Sequence, residues 1–275
     1  MERGIQGVRL RDNYMLKKRV ITGLWGIPLL VAAVWFDKPL PWFTILVAIW
    51  GALAVFEFYK LAAGAKPITY FGMLWALLFI ISPHFNYDFT VPLLLTSAVV
   101  LPLIWLLGRP KKEGAFIGWA WTLGGILYLG WLLSYLVALR GLDEHGYWVF
   151  LALFTTFASD TAAFFVGRAL GRHKLAPRIS PGKTWEGTIA GVLGAIIVSL
   201  LFTLLIPIPY WQAIVLGILV SIFGQLGDLV ESLLKRNTGV KDSGKLVPGH
   251  GGFLDRIDSV VFVGFVVYYY VIWVI

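Results

Sequence analysis

The sequence predicts an all-α polytopic integral membrane protein of about nine transmembrane helices, with a cytoplasmic N-terminus and the C-terminus outside. Three observations carry the prediction. First, 59% of the 275 residues are hydrophobic and only 14% are charged, against roughly 45–50% and about 25% in a soluble globular chain. Mean hydropathy is +0.80, so there is more apolar surface than one water-facing domain can bury. Second, apolar runs of spanning length recur along the whole chain. Third, the basic residues alternate in register with those runs. The same composition excludes an ordinary cytosolic enzyme, a disordered protein and a disulfide scaffold. Cys is absent, which excludes thiol catalysis and Cys-ligated zinc. The net charge of +8 reads first as membrane topology, not as a nucleic-acid surface.

A spanning helix needs about 20 mostly apolar residues. The runs are 20–36, 40–62, 68–82, 91–107, 114–139, 147–170, 185–206, 210–234 and 254–275. The third and fourth are the weakest, because Pro92 and Pro102 interrupt the fourth and only 82–88 separates the two. No segment shows the alternation of a barrel strand. Residues 1–16 are a basic segment without the apolar core of a signal peptide. Met15 precedes Leu-Lys-Lys-Arg, so residues 1–14 read either as native or as an expression remnant, and the first helix as an uncleaved anchor. Residues 17–139 then hold helices one to five. Residues 140–275 hold helices six to nine with the polar loops between them. With the N-terminus inside, all of the 23 Lys and Arg except Lys38 and Arg140 fall on the cytoplasmic side, as the positive-inside rule requires. A bacterial inner membrane is the expected location.

Helix seven carries small residues at every fourth position: Gly187, Gly191, Ala195, Ser199 and Thr203. Such a stripe lets helix backbones approach closely. It fits packing inside the bundle or, as the second reading, a homodimer seam.

A charge at the bilayer centre costs roughly 2.5–3.5 kcal/mol on insertion scales, so carboxylates in the spans need a reason. Six qualify: Glu57, Asp160, Asp228, Glu231, Asp255 and Asp258. Asp160 stands about 14 residues into helix six, roughly 20 Å from its outer end at 1.5 Å per residue. Asp228 lies near the inner end of helix eight, and Asp255 and Asp258 in the first turn of helix nine. Asp228 and Glu231 share a face at i, i+3, as do Asp255 and Asp258. Clustered carboxylates without Cys suit a hard cation such as Mg²⁺ or Mn²⁺, with room for a second ion. The competing reading is charge pairing with Arg168, Lys235, Arg236 and Arg256. Glu57 has Lys60 one turn away and reads as a helix-end pair.

Two polar segments flank these carboxylates. Residues 167–187 offer Arg168, Arg172, Lys174, Arg178 and Lys183 with the hydroxyls of Ser180 and Thr184. The Gly-Lys-Thr at 182–184 is not a P-loop: Pro177 stands where the first glycine belongs, and no strand is expected before it. A Pro-Gly turn at a helix start can still present amides to an anion. Residues 232–258 place Gly249, Gly251 and Gly252 around His250 just before helix nine. That turn would set amide donors and a helix N-terminus against phosphate oxygens. Basic side chains, glycine amides and carboxylates on one face form a phosphate-transfer set. His250 reads as a turn hydrogen-bonder or a phosphate donor, ahead of a base.

The run from Ser232 to Asp258 resembles the signature of the phosphatidate cytidylyltransferases, also called CDP-diacylglycerol synthases. The matching elements are Ser-x-x-Lys-Arg at 232–236, Lys-Asp at 241–242, Pro-x-His-Gly-Gly at 248–252 and Asp-Arg-x-Asp at 255–258. Ser159-Asp160-Thr161 and the stretch 180–186 resemble the second block of that family. The N-terminal half carries no comparable motif. The resemblance implies transfer of the cytidylyl group of CTP to phosphatidate of the cytoplasmic leaflet, giving CDP-diacylglycerol and pyrophosphate with a divalent cation. On that basis Asp228, Asp255 and Asp258 would hold one or two cations, with Asp160 and Glu231 assisting. Lys183, Lys235, Arg236, Lys241 and Lys245 would clamp phosphates. Arg178, Ser180, Thr184, His250, Gly251, Gly252 and Arg256 complete the expected substrate contacts. Two alternatives stand beside this: cytidylyl transfer to another lipid phosphate, and, in a different class, an ion-coupled transporter. The Asp-x-x-Asp-Gly-x-x-Ala-Arg pattern of CDP-alcohol phosphotransferases is absent.

Overall fold

The computed structural model describes residues 25–108, 113–244 and 251–275. The basic N-terminal segment and the predicted contacts Lys245 and His250 lie outside the described residues. Among those described, helices follow the predicted runs. They are α1 (Trp25–Trp35), α2 (Trp42–Leu61), α3 (Thr69–Ile81) and α4 (Tyr87–Leu107). Next comes a continuous rod of α5 (Ala115–Gly125), a π-helical turn (Ile126–Trp131) and α6 (Leu132–Arg140). The series ends with α7 (Tyr147–Leu170), α8 (Trp185–Leu201), α9 (Tyr210–Asn237) and α10 (Leu254–Val274). Seven of these spans are long and apolar enough to cross a membrane; α1, as described, and α3 with its 3₁₀ end are shorter. The chain is thus an α-helical polytopic membrane protein. The shortness of α3 has a local cause. Ser82-Pro83-His84 tightens into a 3₁₀ turn, and 13 helical residues reach only about 20 Å at 1.5 Å per residue.

One departure from all-helical structure stands between α7 and α8. Strands β1 (Lys174–Ala176) and β2 (Ser180–Thr184) pair antiparallel, with Lys174 opposite Thr184 and Ala176 opposite Ser180. The expectation of no strand before Gly-Lys-Thr is therefore corrected: those three residues close β2. Strands this short, with Pro and Gly inside, leave no period-2 signature to read.

Helix ends follow local chemistry. Thr184 caps α8 by accepting from the Gly187 amide at 3.2 Å, the preferred N-cap arrangement. The Asp143 carboxylate accepts from the amides of His145, Tyr147 and Trp148 at 2.9, 3.0 and 3.2 Å and so caps α7. Arg140 is buried and ties that corner to α1, donating to the Val34 carbonyl at 2.7 Å. The prolines in α4 do not break it; the helix runs through both Pro92 and Pro102.

The most extensive packing joins α7 to α8, α8 to α9 and α9 to α10. The small-residue stripe of α8 is used there. Gly187 faces the α7 backbone at Ala163 and Gly167, and Gly191 faces Ser159 and Gln225. Ser199 donates to the Ala213 carbonyl at 2.7 Å. The stripe therefore packs inside the bundle, the first of its two readings. The N-terminal helices join through α2 with α3 and through α3 with the π turn. Gly130 of that turn lies so close to α3 that a Cβ would meet the Ala76 Cα at 2.6 Å. Helix α10 contacts α2, α6 and α7 besides α9, so it is the seam between the two halves.

Candidate active site

The site gathers on α9 and α10. Carboxylate oxygens of Asp228, Glu231 and Asp258 all lie within 4.8 Å of one another. Their closeness depends on Gly227, where a Cβ would collide with the Asp258 carbonyl. A side chain there would force α10 away from α9 and open the cluster. Asp228 stands nine positions before the end of α9, about 14 Å along the helix. The carboxylates are therefore within the spans, as the sequence predicts.

Each carboxylate has its own partners. Lys183, from β2, places its ammonium 2.8 Å from Asp228 Oδ2 and donates to the Gln225 carbonyl at 3.1 Å. Ser232 donates to Asp228 Oδ1 at 3.3 Å. Lys235 bridges Glu231 and Asp255, with Nζ 2.5 Å and 2.6 Å away. Asp258 Oδ1 accepts from the Ser259 amide at 2.7 Å. Asp160 is exposed on α7, with Asp228 and Lys183 as its charged neighbours.

Asp255 occupies a different place from the one expected. It stands outside the three-carboxylate cluster but touches it twice, through Lys235 and directly beside Glu231. Its oxygens accept from the Gly252 amide at 2.8 Å and the Ser243 amide at 3.2 Å, so it organises the loop before α10. The physical reason is helical spacing plus the loop's turn. Asp258, one turn further on, meets Asp228 and Glu231 of α9, while Asp255 is shared between Lys235 and Glu231 of α9 and the chain that precedes α10. The glycines fit this turn: Gly251 has a left-handed φ of +84°, which only glycine adopts at no cost.

The remaining expected contacts divide. Thr184 is buried as the α8 cap, not presented to a ligand. Arg236 donates to the Ile179 carbonyl at 3.3 Å and fastens the hairpin to the end of α9. Arg178, Lys241 and Arg256 are exposed, and Ser180 is half-buried.

Three contributors escaped the sequence reading. Glu57 is not paired with Lys60. It is 1% exposed and accepts from Ser243 Oγ at 3.1 Å and the Leu254 amide at 2.9 Å. Lys60 is exposed instead, 5.1 Å over the Phe56 ring. Ser243 is buried between Glu57 and Asp255. Tyr128, on the π turn, packs against Phe58 and Phe262. Its hydroxyl has no hydrogen-bond partner among the described residues, and its charged neighbours are Asp258, Glu231 and Asp228. A π turn is a frequent mark of functional sites, but the sequence does not reveal one, so it carries no signal for Tyr128.

Comparison with known proteins places the chain in a family. A cytidylyltransferase family model matches residues 17–274. The chain is 37% identical over 266 residues to a Bacillus subtilis protein named phosphatidate cytidylyltransferase, covering 90% of this chain and 94% of that one. A Synechocystis protein of the same name is 34% identical over 297 residues, covering 94% and 97%. One from Brucella suis is 44% identical over 166 residues, covering 60% and 58%.

Proposed function

The chain belongs to the cytidylyltransferase family, and from that premise we propose that it transfers the cytidylyl group of CTP to phosphatidate. The products are CDP-diacylglycerol, for phospholipid synthesis, and pyrophosphate. The observation that carries the reading is the Asp228–Glu231–Asp258 cluster within the spans, with Lys183 and Lys235 at its edges.

The residues fit a divalent cation such as Mg²⁺ or Mn²⁺. Among the described residues, Asp160, Asp228, Glu231, Asp255 and Asp258 bring five carboxylates, and the ammonium groups bridged to them are those of Lys183 and Lys235. That imbalance in a low-dielectric site calls for more positive charge. The donors are all hard oxygens, the ligand type such ions take. Asp228, Glu231 and Asp258 would hold the ion, which supplies charge neutralisation to the triphosphate when bound.

The rest of the mechanism is positioning. A phosphatidate phosphate oxygen, already anionic, attacks the α-phosphorus of CTP. The bond between the α-phosphorus and the bridging oxygen to the β-phosphorus breaks, and that oxygen leaves with pyrophosphate. No general base is required. Lys183 and Lys235, bonded to the carboxylates, would meet the phosphate oxygens as each ammonium shifts from carboxylate to phosphate. Lys241, Arg178 and Arg256, exposed around the hairpin and loop, would draw the triphosphate in from water. Asp160 shares its exposed α7 face with Phe157 and Phe164. That face suits lateral entry of a lipid whose phosphate must reach the carboxylates. The orientation that matches is nine spans with the N-terminus inside and the site open to the cytoplasm, in a bacterial inner membrane. Single cysteines placed in this Cys-free chain and labelled from either side test that orientation.

The test of function is pyrophosphate release from CTP by the purified full chain, with and without phosphatidate and Mg²⁺. Release that requires both is expected. Release without phosphatidate, or none with both present, would overturn the reading.

A further inference from the structure

The N-terminal half carries no motif, yet its α2 reaches the signature loop through Glu57. The carboxylate is buried, and among the described residues it forms no ion pair. Its Oε2 accepts from two donors at the two ends of the loop: Ser243 Oγ at 3.1 Å and the Leu254 amide at 2.9 Å. Leu254 is the first residue of α10, and the helix receives no side-chain cap from its own N-cap residue, Phe253. The first amides of a helix need acceptors, and a carboxylate there also meets the positive end of the helix dipole. Glu57 therefore supplies that acceptor from 197 positions away.

The fit around it is tight. A Cβ at Gly244 would collide with Glu57 Oε1, and one at Gly252 would collide with Ser243 Oγ and approach Glu57 Oε2 to 2.6 Å. Gly244 and Gly252 leave the room that this carboxylate occupies. One turn beyond Leu254, Asp258 enters the cluster with Asp228 and Glu231. Asp255 braces the same loop from the α10 side through Gly252 and Ser243. Ser243 is thus held between two carboxylates, one from each half of the chain.

We propose that Glu57 is a positioning residue for the active site: it holds the start of α10 so that Asp258 stays in register with Asp228 and Glu231. The proposal rests on the cytidylyltransferase reading for its kinetic consequence. Its structural core is a claim about the carboxylate cluster, readable by cation binding alone.

The experiment combines Mn²⁺ binding by electron paramagnetic resonance with steady-state kinetics. It uses the full chain in nanodiscs, as wild type, Glu57→Ala, Glu57→Gln and Ser243→Ala. Removing a residue that orients metal ligands lowers metal affinity or activity by about 10- to 100-fold. Glu57→Ala is expected to weaken Mn²⁺ binding and lower kcat by that order. Glu57→Gln keeps an acceptor oxygen and should restore both to within about threefold, since the amide replaces a cap and not a ligand. Ser243→Ala, which removes one donor of the two, should fall between. Wild-type Mn²⁺ affinity in Glu57→Ala, or no rescue by Glu57→Gln, overturns the proposal. If Glu57→Ala does not fold, wild-type values in Ser243→Ala overturn it. If the wild type binds Mn²⁺ but releases no pyrophosphate from CTP, the functional reading fails while the binding series still decides the role of Glu57.

Discussion

The two halves of the chain are built from the same material and do different work. Helices α1 to α6 are apolar rods joined by short turns, and their few buried polar groups mostly hold corners. Arg140 donates to the Val34, Asp143 and Glu144 carbonyls, and Tyr59 donates to the Thr122 carbonyl at 2.7 Å. Helices α7 to α10 carry the carboxylate cluster, the hairpin and the signature loop. The comparison teaches that the carboxylate cluster belongs to one half, while its surroundings are built by both. α10 packs against both halves, and Glu57 and Tyr128 cross from the motif-free side toward the site.

The largest expected effect lies wholly in the C-terminal half. Asp258→Asn should lower kcat about 10²- to 10³-fold, the size of a lost electrostatic stabiliser, with the fold retained by circular dichroism. Wild-type pyrophosphate release by this variant would remove the cluster from the chemistry. Next is Gly252→Ala, where the loop is squeezed between the halves. The added Cβ has no room beside Ser243 and Glu57, and activity should fall about 10- to 100-fold as ligand orientation is lost. Unchanged turnover would show that the loop's fit is not demanding.

Gly130→Ala tests the N-terminal half for a purely structural role. The new methyl meets the α3 backbone at Ala76, and overpacking of this kind costs about 1–3 kcal/mol. Thermal unfolding should move down while kcat per folded molecule stays at wild type; a fall in kcat with unchanged Tm would blur the division between halves. Tyr128→Phe should leave stability unchanged or raise it by up to about 1 kcal/mol, because a buried hydroxyl without a partner is costly to keep. If Tm falls, the hydroxyl has a partner in the folded protein. The smallest effect is expected at Lys60. Since Glu57 does not pair with it, Lys60→Ala should hold kcat within about twofold, as for an exposed charge contributing ~0–1 kcal/mol. A loss comparable to that of Glu57→Ala would restore the helix-end pair.

Much of the architecture was legible because lipid imposes one rule: backbone polar groups must bond within a helix, and the helix must be apolar. Runs such as 210–234 and 254–275 therefore declare themselves, and α9 and α10 occupy them. The hairpin at 174–184 did not, since its strands are too short for a pattern. The π turn at 126–131 was hidden too, because it uses the same apolar residues as the α-helix around it. At the site, Asp228 and Glu231 were paired correctly by their i, i+3 spacing. The same rule fails for Glu57, because Lys60 satisfies local spacing while the donors to Glu57 lie 186 and 197 positions away.

By itself the sequence determined that the chain is helical and membrane-embedded, and that its clustered carboxylates and polar loops fall in the C-terminal half. These follow from composition and local spacing, which are properties of short stretches. Only the tertiary structure decided which carboxylates meet. It brought Asp258 to Asp228 and Glu231, turned Asp255 to the loop, and set Glu57 under the start of α10. Those outcomes depend on how closely α9, α10 and α2 approach one another. That approach is governed by glycines such as Gly227 and Gly252, whose neighbours are distant in the chain.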